Sequence, residues 1–303
     1  MTACLVFAAA AFAAMAVLGR APDADVQSAL LAAAAAVGLA HGAVDHVRAE
    51  RLLRRHLARG RAVVFAIGYL GAAAAVLLAW LLAPRVTLVG FLAGSVIHFG
   101  MTDAGAEQDV SPGWRRWAAV IAHGGAPIVA PCLLRSEETA AVFDVLAGPD
   151  GAAAAALFGG PGAAIWLSAV LLVLLTGAKR RAFTAAAEIG AIVALFAAAP
   201  PLAGFAIYFG LVHSARVMRE EADARGGGRS GFLLFLREAA PLTLAALTAA
   251  GGALWLMTLQ PTTVSDAVIR STFLALSALT APHMLLAALS SRAAEPTTRT
   301  AGA

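Results

Sequence analysis

Charge is the scarcest thing in this 303-residue chain. Charged residues make up only 13% of it, about half the share of ordinary soluble domains. A soluble fold of this size could not cover its surface with so few. Cysteine is nearly absent too: Cys4 and Cys132 both sit in apolar runs and form no CxxC, zinc-ribbon or disulfide framework. Lysine occurs once, at Lys179, and arginine fills every other basic position. There is no Gly-rich phosphate loop, no GxSxG elbow and no HExxH. The net charge of +4 would hint at nucleic acid in a soluble protein. Here the basic residues lie between hydrophobic runs, so they read as topology signals and no nucleic-acid partner is expected.

What fills the chain is apolar: 60% of the residues are hydrophobic. Uncharged windows of about 20 residues recur along most of its length. The fold class expected is all-α, a polytopic transmembrane helix bundle of about ten spans. Apolar runs and breakers place these near 2–19, 26–47, 62–83, 86–103, 117–134, 163–178, 182–199, 202–218, 232–259 and 265–290. Pro84 and the Pro200-Pro201 pair mark tight reversals. The stretch 139–160, broken by Gly148-Pro149-Asp150-Gly151, reads as an interfacial loop or short amphipathic helix. The first span has no basic n-region and is expected to be an anchor rather than a cleaved signal. Residues 1–290 are read as one membrane domain and 291–303 as a disordered cytoplasmic tail. Trp80, Trp166 and Trp255, near span ends, read as interfacial anchors.

Orientation follows from counting basic residues. With a cytoplasmic N-terminus and ten alternating spans, 18 of the 22 fall on the inner side; Arg20, Arg85, Arg135 and Arg270 stay outside. This strong positive-inside bias puts both termini in the cytoplasm, in a cell-membrane, multi-pass protein.

Six of the seven histidines lie within or at the ends of apolar spans, where ionisable side chains are costly and face a bundle interior. Only His56 sits in an arginine-rich loop, where it is solvated. Helix rise gives their depths. His41 lies seven residues before Arg48 and His123 seven after Arg116, about 10 Å from the inner boundary at about 1.5 Å per residue. His98 and His213 come out at about 9 Å and His283 at about 13 Å by the same rule. Five histidines on five helices thus share nearly one depth, which scattered core histidines have no reason to do. His46, five residues from His41 and near the boundary, stays closer to an ordinary polar side chain.

Carboxylates join this layer. Glu188 is the sole acid within its span, Asp45 sits four residues after His41, and Asp103 ends the fourth span. A carboxylate commonly fixes a ligating imidazole by accepting its other N–H, a role that suits Glu188 or Asp45. Pro127 and Pro282 break helical hydrogen bonding beside His123 and His283. Gly42, Gly100, Gly124, Gly125, Gly210 and Ser214 allow close helix approach or leave room for a ligand. Tyr208, five residues before His213, lines the cavity or packs in the interior.

Neutral imidazoles with few carboxylates suit Fe, Cu or Zn far better than Mg or Ca. The HxxxH and HxxHH boxes of membrane di-iron enzymes are absent. Bis-histidine haem fits the spacing equally. A transporter would spread ionisable residues through both membrane halves, whereas the outer halves here hold almost none. Interhelical hydrogen bonding alone is the bland alternative.

Six segments carry a resemblance: GLAHGAVDH (Gly38–His46), IHFGMTD (Ile97–Asp103), AHGGAPI (Ala122–Ile128), EIG (Glu188–Gly190), YFGLVHSARV (Tyr208–Val217) and LTAPHML (Leu279–Leu285). In this order they resemble the Brp/Blh family of membrane β-carotene 15,15'-dioxygenases, across about 250 residues. The resemblance implies an iron(II) enzyme, Fe(2+) being its cofactor, that cleaves the central double bond of β-carotene with O2 to two retinal molecules. It further implies membrane lipid as the medium and a microbial rhodopsin as retinal acceptor. The family's proposed ligands fall on His41, His98 and His213, with a further histidine four residues after the third. Here that position is Val217, so HSARV stands where the family pattern reads HSxRH. Either His123 or His283 completes the site, or three histidines suffice with open positions. The third option is a paralogue that binds carotenoid or retinal without cleaving it.

Overall fold

A computed structural model describes residues 23–105, 113–149 and 151–294 of the chain. The first expected span, 2–19, and the tail from 295 lie outside the described residues. All regular structure among them is helical. In chain order the helices are α1 (Ala24–Gly42), α2 (Asp45–Leu53), α3 (Arg61–Leu82), α4 (Pro84–Asp103), α5 (Gly113–Leu134), α6 (Ser136–Ala147) and α7 (Gly151–Gly159). There follow α8 (Pro161–Thr176), α9 (Lys179–Ala198), α10 (Pro201–Ile207), a π-helical stretch (Tyr208–His213), α11 (Ser214–Asp223), α12 (Gly228–Thr258) and α13 (Val264–Ala294).

Local chemistry sets these limits. Asp23 caps α1 by accepting from the Val26 N–H at 2.9 Å. Pro84, Pro161 and Pro201 each open a helix, where the missing N–H costs nothing. Gly148, at φ 79°, supplies the left-handed turn after α6.

Eight of the described helical segments are long and apolar enough to cross a membrane. The chain is built as a multi-pass membrane protein. Two departures from the sequence expectation have plain causes. The stretch 139–160, read as an interfacial loop or a short amphipathic helix, holds two helices: it forms the end of α6 and α7, and α7 runs on into α8 as one apolar segment, Gly151–Thr176. Alanine-rich composition outweighed the Gly-Pro punctuation, which produced only the turn at Gly148. The expected span 202–218 is split into α10, the π stretch and α11, so it is not one of the eight.

Glycine lets the centre close. α5 is the most buried of the long helices, packed between α4, α8 and α9. A Cβ at Gly100 would overlap the Val120 carbonyl, and one at Gly124 the Val96 carbonyl, so α4 and α5 meet backbone to backbone. Trp166 fills the notch at Gly125 and donates to the Ala122 carbonyl at 2.9 Å. Trp80 donates to Ser277 Oγ at 2.8 Å. Both rings are buried interhelical ties rather than interfacial anchors; a ring N–H that finds an acceptor can be buried fully. Trp255 is exposed, as expected of an anchor.

Contacts sort the helix ends into two layers. Ser265 donates to Ala24, Arg135 to Ala197 and Arg270 to Val145 at one end. At the other, Arg61 pairs with Glu50, Arg48 with Glu221, and Arg225 with Glu238. The second end is the arginine-rich one.

Candidate metal centre

Three histidines from three helices converge. His41 sits in the last turn of α1, His98 in α4 and His283 in α13. Each offers one ring nitrogen, and these three atoms lie within 4.8 Å of one another. A fourth imidazole crowds the same point: the His213 ring centroid is 5.4 Å from that of His41 and 5.2 Å from that of His98. His213 is wholly buried, and its Nε2 has no hydrogen-bond partner among the described residues. Leaving a buried polar atom unsatisfied is costly, and the group then waits for a partner that none of the described residues supplies.

Carboxylates fix two of these rings. Asp45 Oδ2 lies 2.8 Å from His283 Nδ1, and Asp103 Oδ1 lies 3.3 Å from His213 Nδ1. A carboxylate only accepts, so each Nδ1 carries the proton and each Nε2 keeps its lone pair. His41 Nδ1 is 3.4 Å from Ser214 Oγ.

The two aspartates are held in matching ways. Asp45 accepts from the Tyr69 hydroxyl at 3.1 Å and pairs with Arg48 at 3.5 Å, and Arg48 reaches on to Glu221. Asp103 accepts from the Tyr208 hydroxyl at 2.7 Å and pairs with Arg216 at 3.2 Å, and Arg216 reaches on to Glu188 at 3.5 Å. Two strings of histidine, aspartate, arginine and glutamate therefore end on one point.

Irregular backbone makes this possible. α1 ends at Gly42 and a turn at Ala43–Val44 starts α2 at Asp45. That break takes Asp45 off the face of His41 and lets it reach His283 instead. In the π stretch, hydrogen bonds run from residue i to i+5. Residues five apart then lie nearly on one side, which explains how Tyr208 and His213 share the Asp103 carboxylate.

Of the residues expected from sequence, His41, His98, His213 and His283 are brought together, with Asp45 behind them. His123 is not. Its Nδ1 is 3.8 Å from Glu188 Oε2, too long for a hydrogen bond, and it is not among the clustered nitrogens. Glu188 therefore orients no ring of the cluster. His46 bonds its own turn, at Ala43 O. Val217 is buried in α11. Tyr208 holds Asp103 and is absent from the cavity wall described next. Tyr69, Arg48 and Arg216 were not anticipated, and Asp103 was noticed without a role. A tyrosine or arginine inside an apolar run is itself a signal, weak until its partner is known.

A cavity of about 410 Å³ opens from the cluster. His41, His98 and His283 form its polar end, and Phe65, Phe91, Phe99, Phe205 and Phe209 supply aromatic walls. Three clustered imidazoles with the His213 ring beside them, two of the four tautomer-locked, are nitrogen donors that fit a borderline transition metal and offer little to Mg or Ca. The unpartnered His213 Nε2 is what such an ion would satisfy.

Outside the membrane segments, Glu221 ties the arginine-rich end together. Burial pushes its carboxyl up, but Arg48 and Arg225 outweigh this and hold it below the ordinary value.

The family whose description is "Beta-carotene 15,15'-dioxygenase" matches residues 32–290. A relative from an uncultured marine bacterium, 66A03, named "Beta-carotene 15,15'-dioxygenase", is 30% identical over 264 residues, covering 82% of this chain and 88% of its own. Another from Halobacterium salinarum, named "Probable beta-carotene 15,15'-dioxygenase Blh", is 29% identical over 282 residues, covering 84% and 81%. No solved structure matches.

Proposed function

The chain belongs to the β-carotene 15,15'-dioxygenase family, and from that membership we propose that it is an iron(II) enzyme cleaving β-carotene at its central double bond to two all-trans-retinal. The observation that carries this reading is the convergence of His41, His98, His213 and His283 on one point at the end of an apolar cavity. The reaction balances on O2 alone. The 15,15' double bond breaks, each of its carbons takes one oxygen atom, and no outside reductant is needed.

Iron held by these four histidines would supply the binding and activation of O2. The rest falls to the chain. Asp45 and Asp103 fix the His283 and His213 tautomers, so that ligand nitrogens stay aimed without reorganisation. The aromatic walls position a polyene that offers no acid or base handle, where geometry is the available lever. Apolar lining keeps water away from the reacting centre. A β-carotene dissolved in the bilayer need never enter water. We further take the arginine-rich end to face the cytoplasm, with a microbial rhodopsin as retinal acceptor.

The four-imidazole geometry speaks against haem. A bis-histidine haem would use two imidazoles, whereas three cluster here with a fourth beside them. Carriage of carotenoid without cleavage is the alternative that experiment separates.

The test is expression in bacteria that accumulate β-carotene, followed by pigment chromatography, alongside His98→Ala. Retinal from the native chain and none from the variant, which also loses iron, is the expected result. Iron and full turnover retained in His98→Ala would sink the assignment. Unchanged β-carotene with folded, iron-supplied native protein would mean a carrier.

A further inference from the structure

We infer that the substrate reaches the cluster sideways from the bilayer, through a mouth between α3 and α12 whose rim is Leu70, Ala245 and Ala249. This rests on the proposed carotenoid chemistry, and it names residues that govern access. The argument starts from exposure. Of all the side chains lining the 410 Å³ cavity, those of Leu70, Ala245 and Ala249 are the exposed ones; the others are buried or half-buried. A residue that both lines a cavity and is exposed marks where that cavity opens. All three belong to α3 and α12.

Packing agrees. α3 and α12 each pack against α13, and α12 also packs against α1, yet α3 and α12 are not a closely packed pair among the described helices. Nothing stands within 4 Å of the Cβ positions of Gly68 and Gly71, beside the rim on α3. On α12, Ala245 and Ala249 are one turn apart on one face. Leu242 and Ala246 continue the wall inward. Small side chains at these places keep the gap wide.

Depth decides what the mouth faces. No charged residue occurs in α3 after Arg61, nor in α12 after Glu238. Leu70 lies nine residues beyond Arg61 and Ala245 eight beyond Arg237, about 12–13 Å inside the arginine-rich end by helix rise. By the same rule the histidines lie at about 9–13 Å, so the mouth is level with His283 and slightly deeper than the others. The surface around the mouth is apolar, with Ile67 and Leu244 pointing outward. At that depth the medium is hydrocarbon, and what passes is a hydrophobic polyene rather than a water-borne ligand.

The test narrows the mouth. Ala245→Trp/Ala249→Trp adds bulk at the rim without touching the buried core, and Leu244→Trp places a tryptophan on the outward face as a control. Each is made in the native chain and in the His98→Ala background, and carotenoid retained by the purified protein is read from its absorption beside retinal output and iron content. The expected result is that the double variant keeps its iron and thermal unfolding but loses retained carotenoid and retinal by at least about tenfold, while Leu244→Trp matches the native chain. Retained carotenoid and retinal at native levels in the double variant would overturn the mouth while leaving the enzyme reading intact. Should the native chain retain pigment without cleaving it, and the double variant lose that pigment, the mouth stands and the enzyme reading falls.

Discussion

Replacing Asp45 by Asn tests whether the carboxylate behind His283 governs metal binding. Asp45 is fully buried, and each of its oxygens lies within 3.0 Å of His283 Nδ1. Oδ2 also accepts from Tyr69, and Oδ1 faces Arg48. Asn offers one acceptor oxygen in place of two and turns an N–H toward groups that are donors. Either Tyr69 or His283 then loses its acceptor. If His283 does, its proton shifts to Nε2 and the lone pair aimed at the cluster is lost. Losing such an outer partner typically costs 10–100-fold in metal affinity, about 1.4–2.7 kcal/mol. Anaerobic titration of iron(II) into detergent-solubilised, metal-free protein against a competing chelator reads this directly. Arg48 keeps Glu221 in the variant, so the fold should survive, and thermal unfolding checks that it does. Glu50→Gln is the contrast, because Glu50 pairs with Arg61 and belongs to neither string of ion pairs behind the clustered rings; it should leave iron affinity unchanged. An Asp45→Asn Kd within about twofold of native, or an equal loss in Glu50→Gln, would refute the reasoning.

Val217→His should bring no gain in iron affinity, because His283 already joins His41 and His98 in the three-nitrogen cluster, with His213 beside it; a tighter Kd would mean that His283 is not a ligand. Gly100→Ala should destabilise the fold by about 1–3 kcal/mol, since the new methyl overlaps the Val120 carbonyl, and an unchanged unfolding temperature would contradict the α4–α5 contact. Glu221→Gln should lower the unfolding temperature at neutral pH. The folded pKa of Glu221 is depressed, so its contribution is present above the ordinary carboxylate value and fades as pH falls through the depressed one. The gap between native and variant should therefore close in acid, and a gap that widens there would refute the assignment.

Depth was legible in the sequence, and direction around the helix was not. Helix rise places His41, His98, His123, His213 and His283 in one layer from residue counts alone, and four of the five do meet. His123 fails because depth says nothing about which way a side chain points on α5. Asp45 shows the reverse limit. Four-residue spacing puts it beneath His41 only on an unbroken helix, and the turn at Ala43–Val44 sends it to His283. The π stretch could not be read at all, since nothing in Tyr208–His213 announces i to i+5 bonding, yet it brings Tyr208 and His213 to one carboxylate. Span composition predicted the membrane class well, because apolar run length is a local property. At 139–160 it left loop and short amphipathic helix both open, because Gly and Pro in the turn masked the helices on either side.

Charge accounting explains why these histidines come with such long attachments. In a low-dielectric interior an uncompensated charge costs several kcal/mol even after relaxation, so four neutral imidazoles around a divalent ion would leave two charges unmet. Of the ion pairs named above, the string behind His283 holds Asp45, Glu221 and Glu238 against Arg48 and Arg225. The string behind His213 holds Asp103 and Glu188 against Arg216. Each therefore carries one net negative charge with its carboxylates ionised. Together they balance a divalent cation. On this accounting Asp45→Asn costs more than a hydrogen bond, because it removes one of the two charges that make the bound state neutral. Asp103→Asn, which removes the other, should weaken iron binding by a similar factor from the α4 side of the cluster.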